Sequence, residues 1–422
     1  MNENFLHYIW KHRLFNLKNL TTTNGEALTI LSCGTHNQQA GPDFLQGKIK
    51  IGNVIWAGNI EIHLRSSDFE KHQHHHDEAY KNVVLHVVFE HDKEIISQKI
   101  PTLELKGLIP IHLLRNFENL QKSVDSIACE KNIAAVSGLL WEQSFSRFAF
   151  ERLERKVNVV EQILKQNNHN WEETFYQLLA KNFGMKVNGE AFFELAKSLP
   201  VKILAKQKYS QMQLEALLLG QAGMLHEIFS DAYAVQLQQE YQFLQHKFSL
   251  QPIPKNYWKM ARMRPQNFPP LRLAQFATLV FQSSHLLSKV LECSSIKDLK
   301  ALFQIEPSNY WQHHYRLDAL SDKTKKKVGD ATIENFVINS IVPIVFAYGH
   351  LRQEDDLKNK ALSWLEQLQA EKNSIITSWK KLNIQPANAF QSQALIELKN
   401  EFCDKKKCLS CLIGQHIINM DT

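Results

Sequence analysis

The chain has 422 residues, 44% apolar and 22% charged, and its 49 basic and 43 acidic side chains leave a net charge of +6. This is the composition of a globular protein long enough for two domains, and its mild basic excess permits contact with nucleic acid without requiring it. Six cysteines in this length exclude a disulfide framework, no apolar run of about 18 residues predicts a membrane span, and Met1-Asn2-Glu3-Asn4-Phe5 carries no signal-peptide features. A reducing cytoplasm with no membrane partner is the expected setting.

Residues 4–13 read as a short amphipathic helix with Leu6, Ile9 and Trp10 on one face. Residues 28–32 are an apolar run between Gly25 and Gly34, hence a strand. Residues 44–51 and 54–64 read as a hairpin around Gly52-Asn53. A polar, histidine-rich stretch follows over 65–82, partly helical near Tyr80. Residues 83–90 are nearly all apolar, as in a buried central strand, and 95–105 add one or two edge strands. Beyond about residue 140 the spacing becomes helical. Helices are expected over 145–165, 171–182, 191–199, 211–224, 229–248, 272–291, 333–348 and 356–368, with proline-rich breaks at 251–254 and 263–270. The expected fold class is α+β: an N-terminal αβββαβ domain over 1–130 and an all-helical domain over 131–422 that ends in a cysteine-rich motif.

Three stretches carry candidate chemistry. In the first, Gly41-Pro42-Asp43-Phe44 precedes a strand, and Gly58-Asn59-Ile60-Glu61-Ile62-His63 lies on the next. Residues two apart on a strand share a face, so Glu61 and His63 point the same way. If Asp43 meets that face, two carboxylates and an imidazole converge. Such a set can hold Mg2+ or Mn2+ and activate water for phosphodiester hydrolysis, with His63 as base or water orienter. The alternative is a turn-capping Asp and a polar strand face. Glu3 is a further carboxylate within reach from the first helix. In the run Lys71-His72-Gln73-His74-His75-His76-Asp77, His72 and His75 are the accessory candidates against a solvated loop, and His86 reads as a core histidine.

The second stretch is Cys403-x4-Cys408-x2-Cys411-x4-His416. Three thiolates and an imidazole fit a closed Zn2+ site. An iron–sulfur cluster completed by Cys33, Cys129 or Cys293, and three reduced thiols, are the other readings. The third stretch runs from Tyr257 to Arg272, where Arg262 and Arg264 are placed to contact phosphates and Trp258 to stack on a base. Proline and aromatic packing of a long loop is the competing reading.

The helix, strand, strand with Pro42-Asp43, strand with Glu61-x-His63 order resembles the core of the PD-(D/E)XK nuclease superfamily. That resemblance implies a restriction-endonuclease-like fold in which Asp43 and Glu61 bind Mg2+ or Mn2+, and it places His63 where the superfamily has Lys. Residues 41–76 are also similar in kind to very-short-patch repair endonucleases. Across nearly its full length the chain resembles a bacterial family defined as a domain of unknown function, on residues 40–44, 58–63, 72–88, 262–274 and 403–414. The expectation is a nuclease-like protein acting on DNA or RNA. A non-catalytic nucleic-acid-binding protein or a structural scaffold on the same fold stands beside it.

Overall fold

The first helix, α1 (Glu3–Lys11), starts where the Asn2 side chain accepts the Phe5 N–H, satisfying one of the orphan donors of the first turn. Its apolar positions bury Phe5, Leu6, Tyr8, Ile9 and Trp10. Phe5 stacks on Phe117 at a ring separation of 4.6 Å, and the Trp10 indole donates to the Cys33 carbonyl at 3.1 Å. Each such aromatic contributes about 1.5–3 kcal/mol of burial. These contacts belong to a computed structural model that describes residues 1–421 other than 73, 75, 76 and 95–98.

Strands β1 (Leu28–Ser32), β2 (Thr35–His36), β3 (Phe44–Ile51), β4 (Val54–Arg65), β5 (Val83–Glu90) and β6 (Thr102–Glu104) form one mixed sheet. The order is β1-β3-β4-β5-β6, with β2 paired to β3. β1, β3 and β4 make an antiparallel meander, and β5 and β6 then add in parallel. Gly52 turns the β3–β4 hairpin with φ +55°, a left-handed conformation that costs glycine little. Between β4 and β5 come the single-turn helix α2 (Asp68–Lys71) and a 3₁₀ turn at Glu78–Tyr80. The expectation for 95–105 falls partly on residues outside those described; β6 is the strand found in the rest. α3 (Ile111–Lys122) follows the sheet.

The chain divides into two compact units, one of residues 1–146, 377–384 and 395–422, the other of 147–376 and 385–394. The C-terminal cysteine segment therefore belongs to the unit that carries the sheet. The second unit is helical apart from a two-stranded ladder of His314–Arg316 with Ala319–Leu320. Its helices include most of α4 (Gly138–Gln166), then α5 (Trp171–Phe183), α6 (Met185–Ser198), α7 (Val201–Lys206), α8 (Gln211–Gln221), α9 (Ala232–Phe248) and α10 (Pro269–Gln282). With the sheet of the first unit, this is an α+β protein.

Two helical expectations differ in detail. The helix expected over 272–291 is broken into α10 and Leu286–Glu292. His285 sits between them at φ +55°, which no continuous right-handed helix accommodates. The helix expected over 333–348 runs through Asp330–Arg352 with a π-helical segment at Val337–Ile341. Pro343 lacks the N–H that an α-helical ladder needs, and a local register change absorbs the gap. This 23-residue helix is long and apolar enough to cross a membrane by length and composition, but 67% of its most apolar window is buried inside the unit. It packs as a core helix.

Candidate metal centre

Asp43 stands where β3 parts from β4. The ladder is irregular between Phe44 and Gly47, and Gln46 takes φ +57°, the signature of a bulge that re-aims neighbouring side chains. Past Phe44 the carboxylate of Asp43 substitutes for a ladder partner: the Ile62 N–H donates to its Oδ2 at 2.9 Å. In return the Asp43 N–H donates to Glu61 Oε2 at 3.2 Å. The two carboxylates are thus locked together across the strands, as the shared face of β4 requires.

Four imidazoles surround them. His63 Nε2 and His74 Nε2 lie 3.6 and 3.5 Å from Glu61 Oε1. His7 Nε2, from α1, lies 3.3 Å from Asp43 Oδ2 yet makes no hydrogen bond and is buried without one. The ligand nitrogens of His63, His72 and His74 all fall within 4.8 Å of one another. Behind them His63 Nδ1 and His86 Nε2 are hydrogen-bonded at 2.9 Å, because the parallel register sets Glu61 beside His86. Phe69 of α2, fully buried, walls the group, and Tyr80 stacks on His74 at 4.0 Å.

Burial sets the protonation of the cluster. Burial first, and then the neighbouring Asp43 charge, pushes the Glu61 carboxyl up to about 9. Burial, with His86, His74 and His72 adding to it, pushes His63 down to about 3. The close approach of His63 to Glu61 is therefore not an ion pair at neutral pH: the carboxyl is protonated and the ring neutral. Glu3 is raised by burial, and His72 and Asp43 both act on it, which places its charge at the edge of the same cluster. A divalent ion fits the donor set: the His63, His72 and His74 nitrogens lie within 4.8 Å of one another, and Glu61 Oε1 lies 3.6 and 3.5 Å from the His63 and His74 rings. If His63 binds through Nε2 its proton sits on Nδ1 and donates to His86, the usual support for a ligating imidazole.

Asp43, Glu61, His63 and His72 thus come together, with Glu3 at the margin; His75 lies outside the described residues. Sequence reasoning missed His7, His74 and the supporting role of His86. The spacing of Glu3 and His7, one helical turn apart, was the available signal for α1. Nothing in the sequence gives the β4–β5 register that joins His86 to His63.

The remaining candidates are elsewhere. Arg262 and Arg264 are exposed in the helical unit. Trp258 is buried there, its indole donating to the Ala222 carbonyl at 2.8 Å and its ring edge-on to Phe192, so it is a packing residue and has no face free to stack on a base. His416 does not line the cavity that Cys403, Cys408 and Cys411 share, because it projects from the middle of helix Leu412–Ile418 while Cys411 caps that helix's start.

A family model described as protein of unknown function (DUF2851) matches residues 3–374. The chain belongs to the DUF2851 family. Its match covers the whole carboxylate and histidine cluster and ends short of Cys403. No curated protein and no solved structure matches the chain. Within this DUF2851 chain the cluster is therefore read from its own geometry.

Proposed function

We propose that this DUF2851 protein is a metal-dependent nuclease-like hydrolase that cleaves phosphodiester bonds in DNA or RNA. One observation carries the reading: Asp43 and Glu61 are bonded to each other's strand and ringed by His7, His63, His72 and His74. The order of α1, an antiparallel meander and a parallel β5 supports a PD-(D/E)XK-like core. A divalent cation held there supplies Lewis acidity and a water of lowered pKa.

The chain's own residues do the rest. Asp43 and Glu61 would hold the ion, and the backbone N–H bonds their carboxylates accept fix their spacing. His63 is kept neutral by burial and its Nδ1 is engaged by His86, so Nε2 alone would be available, either to the ion as a ligand or to its water as a base. His86 holds the His63 ring, and Phe69 and Tyr80 exclude bulk water from the imidazoles. Imidazole nitrogens are poor partners for Mg2+, which takes oxygen ligands, so Mn2+ is the better fit of the two ions. Arg262 and Arg264 are available to nucleic-acid phosphates as exposed cations of the helical unit.

The test is cleavage of plasmid, linear duplex, single-stranded DNA and RNA by the purified full chain with Mn2+ or Mg2+. Turnover is expected with Mn2+ and is expected to be lost in Asp43→Asn and Glu61→Gln. Salt-sensitive binding without turnover in any metal would favour the non-catalytic reading. Turnover that survives both substitutions would remove the assignment of the site.

A further inference from the structure

Four of the six cysteines meet in the sheet-bearing unit. Cys129, Cys403, Cys408 and Cys411 line one small cavity, walled by Trp379, Leu398, Phe402 and Ile413. Cys129 immediately precedes the turn Glu130–Ala135, far from the others in sequence. The other three come from one tight segment. Cys408 opens the turn Cys408–Ser410. Cys411 caps helix Leu412–Ile418, and its sulfur accepts the Gly414 N–H at 3.5 Å. Gly414 is what allows this: a Cβ there would lie 2.4 Å from the Cys408 carbonyl oxygen.

We infer that Cys129, Cys403, Cys408 and Cys411 ligate an iron–sulfur cluster. Four thiolates in an apolar pocket are a cluster's ligand set. A tetrahedral zinc, about 2.3 Å from every sulfur, would draw them to within about 4 Å of one another. Among the described residues no three of these sulfurs lie mutually within 4.8 Å, the wider stance that ligands to different irons require.

The cluster's task is to staple the chain's end to the sheet-bearing unit. The contacts beside it run the same way: Asn116 donates to the Ile417, Ile418 and Met420 carbonyls, and Lys406 to the Ser123 carbonyl. This inference is independent of the chemistry at Asp43.

The experiment is metal and acid-labile sulfide analysis of the full chain purified without oxygen from iron-replete cells, with visible absorption and electron paramagnetic resonance after reduction. Iron and sulfide in equal amounts are expected, abolished in Cys129→Ser and retained in His416→Ala. Zinc in place of iron, absence of both metals, or a cluster that survives Cys129→Ser would each overturn the assignment. Should Cys129→Ser fail to fold, thiol alkylation of the wild-type protein decides. Cys129, Cys403, Cys408 and Cys411 should be protected together while Cys293 reacts, and all four should open together when the iron is chelated. Alkylation of Cys129 in the iron-loaded protein would also overturn it.

Discussion

Replacing Asp43 separates its structural role from its chemical one. Asp43 does two things in the structure: its Oδ2 accepts the Ile62 N–H at 2.9 Å, and its charge faces His7 at 3.3 Å and the Glu61 carboxyl. Asp43→Asn keeps an oxygen for Ile62 and removes the charge. Its cost in stability is the approach of His7, worth about 1 kcal/mol or less for a partly exposed pair. Asp43→Ala removes the acceptor too. Ile62 is buried, so its N–H is left unsatisfied at a cost of about 1–3 kcal/mol. Loss of a supporting residue of a metal typically costs about 10–100-fold, so loss of a carboxylate ligand should cost at least about 100-fold in Mn2+-dependent cleavage, or about 2.7 kcal/mol of transition-state stabilisation. Urea unfolding and cleavage rates of the two variants are the assay. Asn should be nearly as stable as the wild type and almost inactive, whereas Ala should be both unstable and inactive. An Asn variant that cleaves within a few-fold of the wild type, beside an Ala variant whose activity falls only with its stability, would make Asp43 a strand cap and nothing more.

Other expectations follow from single contacts. His86→Ala should weaken Mn2+ binding about 10–100-fold by calorimetric titration, because it removes the partner that holds His63 Nδ1. Gly220→Ala should destabilise the helical unit by about 1–3 kcal/mol or more in urea unfolding, since a Cβ would lie 2.0–2.4 Å from the Tyr241 ring where α8 crosses α9. Burial raises the Glu215 carboxyl even though Trp311 and Tyr233 donate to it. The unfolded chain then loses its proton first, so stability is full below 4.5 and declines as pH rises through the raised folded value. Glu215→Gln should flatten that decline, read as unfolding midpoints across the same pH range.

Much of the sheet was legible because its strands are bounded by turn residues. The expected strands 28–32, 44–51 and 83–90 coincide with β1, β3 and β5, each an apolar or alternating run closed by glycine, asparagine or charge. The helices were legible from their spacing until backbone chemistry intervened, as at His285 and Pro343. The shared face of Glu61 and His63 was legible from strand periodicity; that Asp43 meets it is shown only by the hydrogen bonds across the strands. His7, His74 and His86 were not, because they reach the site through tertiary pairing: a helix laid over the sheet, a loop, and a parallel register. The same limit explains the cysteines. Spacing proposes His416 as a fourth ligand because it is near in sequence, whereas a cavity selects Cys129 because it is near in space.

In the proposed nuclease-like reading, His63 stands where the superfamily the chain resembles has Lys. At position 63 a Lys would bring a buried ammonium beside His74 and His86, with the His86 bond lost; its charge would oppose a cation at Glu61. A neutral imidazole carries no such repulsion, and its second nitrogen is already engaged by His86. The departure at His63 therefore belongs with the other histidines. One substitution in a motif would weaken the nuclease-like reading, but His7, His63 and His74 against the two carboxylates, with His72 beside them and His86 behind His63, form a coherent alternative. In it imidazole replaces ammonium throughout, and the metal preference moves from Mg2+ towards a transition ion.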